Sequence, residues 1–158
     1  MYSKKFMTAA ISQAKLAAKH GETPIGAVIC RDGEIIARGR NKREAKLNCL
    51  CHAEIEAINK ASKKLGSWRL SECDLYVTLE PCPMCAGAII QARIKNLYFG
   101  AYDYKAGCAG SKANLFEPGL FNHDVSVEGG HEEEASKKIL QDFFKDLRKS
   151  KKKEREND

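Results

Sequence analysis

The chain has 158 residues, 43% hydrophobic and 30% charged, with a formal net charge of +6. That length suits one domain burying about two-thirds of its unfolded surface. No apolar run approaches the roughly 18 residues of a helical membrane span, and Met1 to Lys5 opens no signal-peptide core, so a soluble, cytoplasmic protein is expected.

Ser3 to His20 places Phe6, Met7, Ala10, Ala14 and Ala17 at helical spacing, with Ser3 as N-cap and Gly21 as the stop. Ile25 to Arg31 and Glu34 to Asn41 flank Asp32-Gly33, the signal of a two-residue hairpin between a central strand and its neighbour. Asn41 closes the second strand. Its amide can donate and accept, which suits a base edge or a ribose hydroxyl; the plain alternative is a turn residue.

Ala53 to Leu65 is rich in helix formers and stops at Gly66, and Asp74 to Leu79 (DLYVTL) reads as a short strand running into Pro81. Pro83 suits a first helical position, so Ala86 to Arg93 continues a helix, and Asn96 to Ala101 (NLYFGA) is the next strand. A strand-helix-strand crossover makes these two strands parallel. Tyr102 to Asn122 is glycine-rich and irregular, with one helical turn expected around Ala113 to Phe116; so long a segment without a period is characteristically functional. Val125 to Glu128 forms a weak last strand. Glu132 to Lys149 reads as a helix with acids early, bases late and an apolar stripe of Ile139, Leu140, Phe143, Phe144 and Leu147. Residues 1–149 are thus expected to form the domain, and 150–158 a disordered tail. Lys145, Arg148, Lys149, Lys151, Lys152, Lys153 and Arg155 concentrate positive charge here, which either attracts phosphates or simply solvates the end of the chain.

The chemistry lies in His52-Ala53-Glu54 and Pro81-Cys82-Pro83-Met84-Cys85. One imidazole and two thiols make three ligands of a catalytic zinc site, leaving a fourth position for solvent, with a carboxylate beside it for acid/base work. Positions 52 and 54 lie about 200° apart around a regular helix, so they share a pocket only at its open N-terminal end. The combined signature is an established one, of which the zinc nucleobase deaminases are the known example, and it points to hydrolytic deamination. Cys49 and Cys51 offer an alternative, a closed four-sulfur site with Cys82 and Cys85, but that arrangement leaves His52 and Glu54 without a role. Of the seven cysteines, the five besides Cys82 and Cys85 show no disulfide framework, in keeping with a reducing compartment.

Glu22 to Val28 (ETPIGAV), Asn41, His52-Ala53-Glu54-Ile55, Leu75 to Ile90 (LYVTLEPCPMCAGAII), Gly100 to Gly110 (GAYDYKAGCAG), Phe121-Asn122-His123 and Asp142-Phe143-Phe144 together resemble the bacterial tRNA wobble adenosine deaminases of the cytidine deaminase superfamily. The resemblance implies a single-domain α/β three-layer fold, with a mixed five-stranded sheet flanked by helices. It also implies a homodimer, one Zn²⁺ per subunit, a tRNA anticodon stem-loop as partner, and hydrolysis of the wobble adenosine to inosine. By the same resemblance His52, Cys82 and Cys85 hold the metal, and Glu54 shuttles protons. Asn41 and Ala53 meet the flipped base, while Asp103, Lys105, Asn122, His123 and Phe144 line the anticodon-loop groove. One stretch departs from the family: Asn48-Cys49-Leu50-Cys51 replaces a polar run before the histidine, and Leu50 cannot supply a hydroxyl cap. Two other readings share the zinc motif, a deaminase of free guanine or cytosine and a non-catalytic zinc module that binds RNA.

Overall fold

The computed structural model describes residues 1–158. Its elements run α1 (Lys4–Lys19), β1 (Gly26–Arg31), β2 (Glu34–Arg40), α2 (Ala53–Leu65), β3 (Asp74–Leu79), α3 (Pro83–Gln91), β4 (Asn96–Ala101), β5 (Ser126–Glu128) and α4 (Glu133–Asn157). The five strands form one mixed sheet in the order β2-β1-β3-β4-β5. β1 is antiparallel to both β2 and β3, whereas β3, β4 and β5 are parallel, as the crossover through α3 requires.

The alternation of the central strands divides the core into two layers. Ala27, Ile29, Leu75, Val77, Leu97 and Phe99 face α2 and α3, packing on Ala53, Ala57, Ala61, Ala86 and Ile89. Val28, Cys30, Tyr76 and Tyr98 face the other way, onto Phe6, Met7 and Ala10 of α1, and α4 joins α1 on that side. Small residues bring the layers close. A Cβ on Gly26 would strike the α1 backbone at Ala10 and Ala14, and one on Gly39 would strike α2 at Ala53 and Ala57.

Local signals place most element ends. Asp32 and Gly33 both have positive φ, 51° and 76°, as a type I′ hairpin turn demands. Gly66 ends α2 in the left-handed region, with φ 64°. Ser3 precedes α1 but makes no side-chain cap; its backbone N–H donates instead to the Tyr76 hydroxyl (3.0 Å). Two stretches differ from expectation. Residues 113–116 form turns and an isolated bridge between Ala109 and Asn114, with no helical turn, because the glycine-rich chain folds around a buried carboxylate. The last helix continues through Asn157, about two turns past Lys149, where a disordered tail was expected; Lys, Arg and Glu are good helix formers and carry on the last turn.

Candidate active site and metal centre

Two helix starts meet where β3 and β4 finish and β1 begins. His52 stands in extended backbone just before α2 (φ −80°, ψ 159°), and Cys82 stands likewise before α3 (φ −73°, ψ 174°), with Pro83 opening that helix. Cys85 follows in the first turn of α3, where the helix geometry turns its thiol back toward Cys82. His52 Nδ1 lies 3.6 Å from Cys82 Sγ and 3.5 Å from Cys85 Sγ, and the three donor atoms all fall within 4.8 Å of one another. Nitrogen and sulfur ligands at tetrahedral angles around one ion stand about 3.6 Å apart, so the residues fit a shared metal ion bound through Nδ1. Cys49 is exposed, and neither it nor Cys51 joins the cluster.

Electrostatics favour a cation here. The hydrogen bond from the Cys85 thiol, followed by that with His52, pulls the Cys82 thiol down to about 4. That same bond, with burial and the charges of Glu54 and Cys82, pushes Cys85 up. The Cys82 thiolate in turn raises His52, against the effect of burial. A cation bound here would hold both sulfurs as thiolates. Glu54, in the first turn of α2, is 4% exposed. Burial pushes its carboxyl up to about 7, opposed by its own backbone N–H and by His52, which suits a group that both takes and gives a proton near neutrality.

The remaining predicted residues fall into two groups. Ala53 is fully buried at the start of α2, and Asn41 is 4% exposed just after β2. The Asn41 amide has partners on both sides: Oδ1 accepts from the Arg43 N–H (3.0 Å) and Nδ2 donates to the Thr23 carbonyl (3.4 Å). Asp103 follows β4 at the metal end of the sheet, and its Oδ1 accepts from the N–H groups of Lys105 and Ala106 (3.0 and 3.1 Å). Lys105 is exposed. Phe144 is 41% exposed on α4 and meets Phe143 edge-on.

Asn122 and His123 lie elsewhere. His123 Nε2 is 2.7 Å from the carbonyl of Ile94, just before β4 begins, and Asn122 lines a surface pocket with Gly87, Gln91 and Arg93 near the far end of α3. Neither joins the cluster of His52, Cys82 and Cys85; the pocket that Asn122 lines lies along α3, beyond Cys85.

Three residues that the sequence did not single out, Glu22, Glu56 and Glu80, brace the segments beside the site. Glu22, 2% exposed, accepts from the N–H groups of Glu44 and Ala45 (2.9 Å each) and holds the segment after Asn41. Glu56 adds side-chain ties from α2 to the same segment, with Lys46 at 3.1 Å and Lys42 at 3.6 Å. Burial alone would raise the Glu56 carboxyl, but the Lys46 hydrogen bond and the lysine charges outweigh it and hold the group low. Glu80, 2% exposed, plays the corresponding part for the segment after β4. No periodicity marks Glu22 or Glu80; the one local cue is that each stands just ahead of a proline.

The model of the MafB19-like deaminases matches residues 1–148. A tRNA-specific adenosine deaminase of Bacillus subtilis is 49% identical over 152 residues, spanning 96% of this chain and 94% of that protein. A structure solved in studies of A-to-I editing by tRNA deaminases at the wobble position superposes with a TM-score of 0.84 at 43% identity, covering 87% of this chain and 100% of that one. A Bacillus subtilis guanine deaminase structure aligns less completely, with a TM-score of 0.62 over 65% of this chain and 66% of that one, at 43% identity.

Proposed function

The chain belongs to the MafB19-like deaminases and, within them, to the tRNA-specific adenosine deaminases, and we propose that it hydrolyses the wobble adenosine of a tRNA anticodon loop to inosine, releasing ammonia. The observation that carries this reading is the convergence of His52, Cys82 and Cys85 at ligand spacing beside the buried Glu54, in a chain alignable end to end with tRNA deaminases. Identity of 44 to 49% over 93 to 96% of the chain to tRNA-specific adenosine deaminases makes a free base the weaker reading, and the buried Glu54 beside the cluster leaves a purely structural zinc module without a use for it.

His52 through Nδ1, with the sulfurs of Cys82 and Cys85, would hold Zn²⁺, the ion this borderline-soft nitrogen and sulfur set prefers. When bound, zinc supplies the Lewis acidity that makes water a competent nucleophile near neutral pH. Glu54 takes the proton of the attacking water and delivers it to a ring nitrogen of the adenine, which makes C6 electrophilic. After addition at C6, Glu54 takes the proton of the new C6 hydroxyl and passes it to the amino group, which departs as ammonia as the C6–N bond breaks and C6=O forms. Burial raises its carboxyl toward neutrality, the range in which one group can both take and give a proton. Asn41 and Ala53 border the slot that receives the base. Because the target nucleotide lies in an unpaired loop, turning it out costs less than extracting it from a duplex.

The RNA-facing residues support a homodimer. Asp103 and Lys105 follow β4 at the metal end of the sheet, Asn122 and His123 lie on the irregular chain beside α3 and the start of β4, and a second subunit would extend a groove that uses all of them. The outer face of α2 and α3 offers a surface for it. Ile55, Ile58, Ala88 and Ala92 line a hollow there with Trp68, which is 61% exposed and flanked by the guanidinium groups of Arg69 and Arg93 at 4.9 and 5.9 Å.

The direct test is mass spectrometry of a tRNA pool before and after incubation with the zinc-loaded protein. Conversion adds about one dalton at the wobble nucleoside, and a pool left unchanged would defeat the assignment.

A further inference from the structure

We propose that Glu80 is a positioning residue for the RNA: its buried carboxylate fixes the loop of residues 103–111 in register with the metal-binding end of β3, and so sets where Asp103 and Lys105 meet the substrate. This inference rests on the functional reading above and adds a residue to it.

Glu80 follows β3 and precedes Cys82 by two positions. Its Oε1 accepts from the Asp103 N–H (3.1 Å), and its Oε2 accepts from the N–H groups of Ala109 and Ser111 (3.0 Å each). The Ser111 hydroxyl also donates to Oε1. No lysine, arginine or histidine lies within ion-pairing distance of it. A buried anion without a cation persists only where several donors surround it. Here every donor comes from one loop, and three of the four are backbone groups, so the carboxylate dictates main-chain position whatever the loop's side chains.

Two further contacts tie the loop to the metal side. The Cys108 N–H donates to the Pro81 carbonyl (2.8 Å), and the Glu80 N–H to the Ala101 carbonyl (2.8 Å). From Asp103 the order propagates, because its Oδ1 holds the N–H groups of Lys105 and Ala106. Within the loop, the Gly107 N–H donates to the Asp103 carbonyl (2.8 Å) and the Lys112 N–H to the Gly107 carbonyl (2.9 Å), and Ala109 bridges Asn114; Glu80 fastens this local framework to the end of β3. Gly107 shows how closely the loop wraps the carboxylate: a Cβ there would run into the Glu80 carboxyl carbon and the Asp103 carbonyl.

The test uses full-length, zinc-loaded protein and a short anticodon stem-loop RNA. Glu80→Gln keeps the shape of the side chain but turns an acceptor into an amide facing N–H donors. The expected result is a rise in KM of about tenfold, with the single-turnover rate at saturating RNA within about twofold of wild type and zinc content unchanged. Gly107→Ala displaces the same loop without altering the carboxylate and should give the same split. Ser111→Ala should cost less and add little to Glu80→Gln, since both act on one network. Hydrogen exchange of the Asp103, Ala109 and Ser111 amides should accelerate in Glu80→Gln with the rest of the sheet still protected. An unchanged KM in Glu80→Gln and Gly107→Ala, a loss of zinc, or a fall in rate at saturating RNA with KM unmoved would each overturn the proposal. If wild-type protein failed to convert the RNA, the functional reading would fall, while the amide exchange would still decide whether Glu80 sets the loop.

Discussion

The two ends of the strands are built on different principles. At the end carrying His52, Cys82, Cys85 and Glu54, the side chains issue from helix starts packed on the sheet, Cys85 and Glu54 are buried, and donor atoms converge within a few ångströms. At the opposite edge, Asn122 and His123 sit on irregular chain, and Leu120 and Phe121 beside them are half exposed. The donor atoms of the metal end converge within one chain, whereas at the far edge His123 meets the Ile94 carbonyl and those two apolar side chains stay half exposed. On the proposed function, the chemistry belongs to the subunit and recognition extends over a surface that a second subunit and an RNA would cover.

Removing a ligand should break the comparison most severely. Cys85→Ala leaves two donors, so zinc content should fall below stoichiometric and inosine formation by at least about a thousandfold, measured by metal analysis and mass spectrometry together. Next comes the interface. Trp68→Glu places a charge on the outer face of α2 and α3 and should shift the protein to monomer in sedimentation, lowering deamination about a hundredfold without loss of zinc. A monomer that retained full activity would confine recognition to a single chain.

A smaller effect is expected at the loop beside the metal. Lys105→Ala should raise KM for the stem-loop about three- to tenfold and make it less dependent on salt, because one phosphate contact contributes about 0.7 to 0.9 to the logarithmic salt slope. The metal end should meanwhile respond to pH. Burial raises the Glu54 carboxyl to about 7, so folding takes up a proton, and the wild-type fold loses stability as pH climbs from the ordinary carboxylate range through about 7. Glu54→Gln removes that burden. In metal-free protein its gain in Tm over wild type should therefore be a few degrees larger at about pH 8 than at about pH 5.

The metal end was legible because its constraints are local. Pro83 beside Cys82, the two-residue step from His52 to Glu54, and the CxxC spacing each fix geometry over a few positions, and the Asp32-Gly33 turn does the same for the hairpin. What escaped notice depends on long-range contacts. Glu80 gains its meaning from residues 23 to 31 positions away, and Glu22 from residues 22 and 23 away, separations that leave no periodic trace. The position of His123 at the Ile94 carbonyl likewise follows from the path of an irregular segment. The departure before His52 leaves α2 without a side-chain cap, as the missing hydroxyl at Leu50 implied. His52 itself occupies the cap position of α2, without a side-chain cap, and Glu22 and Glu56 hold the preceding segment instead.

The account stands most directly on Glu54→Ala, assayed on zinc-loaded protein with a tRNA anticodon stem-loop. It predicts a protein that keeps its zinc and binds the RNA, with inosine formation slowed by about a thousandfold or more. A zinc-replete variant still producing inosine at the wild-type rate would contradict it.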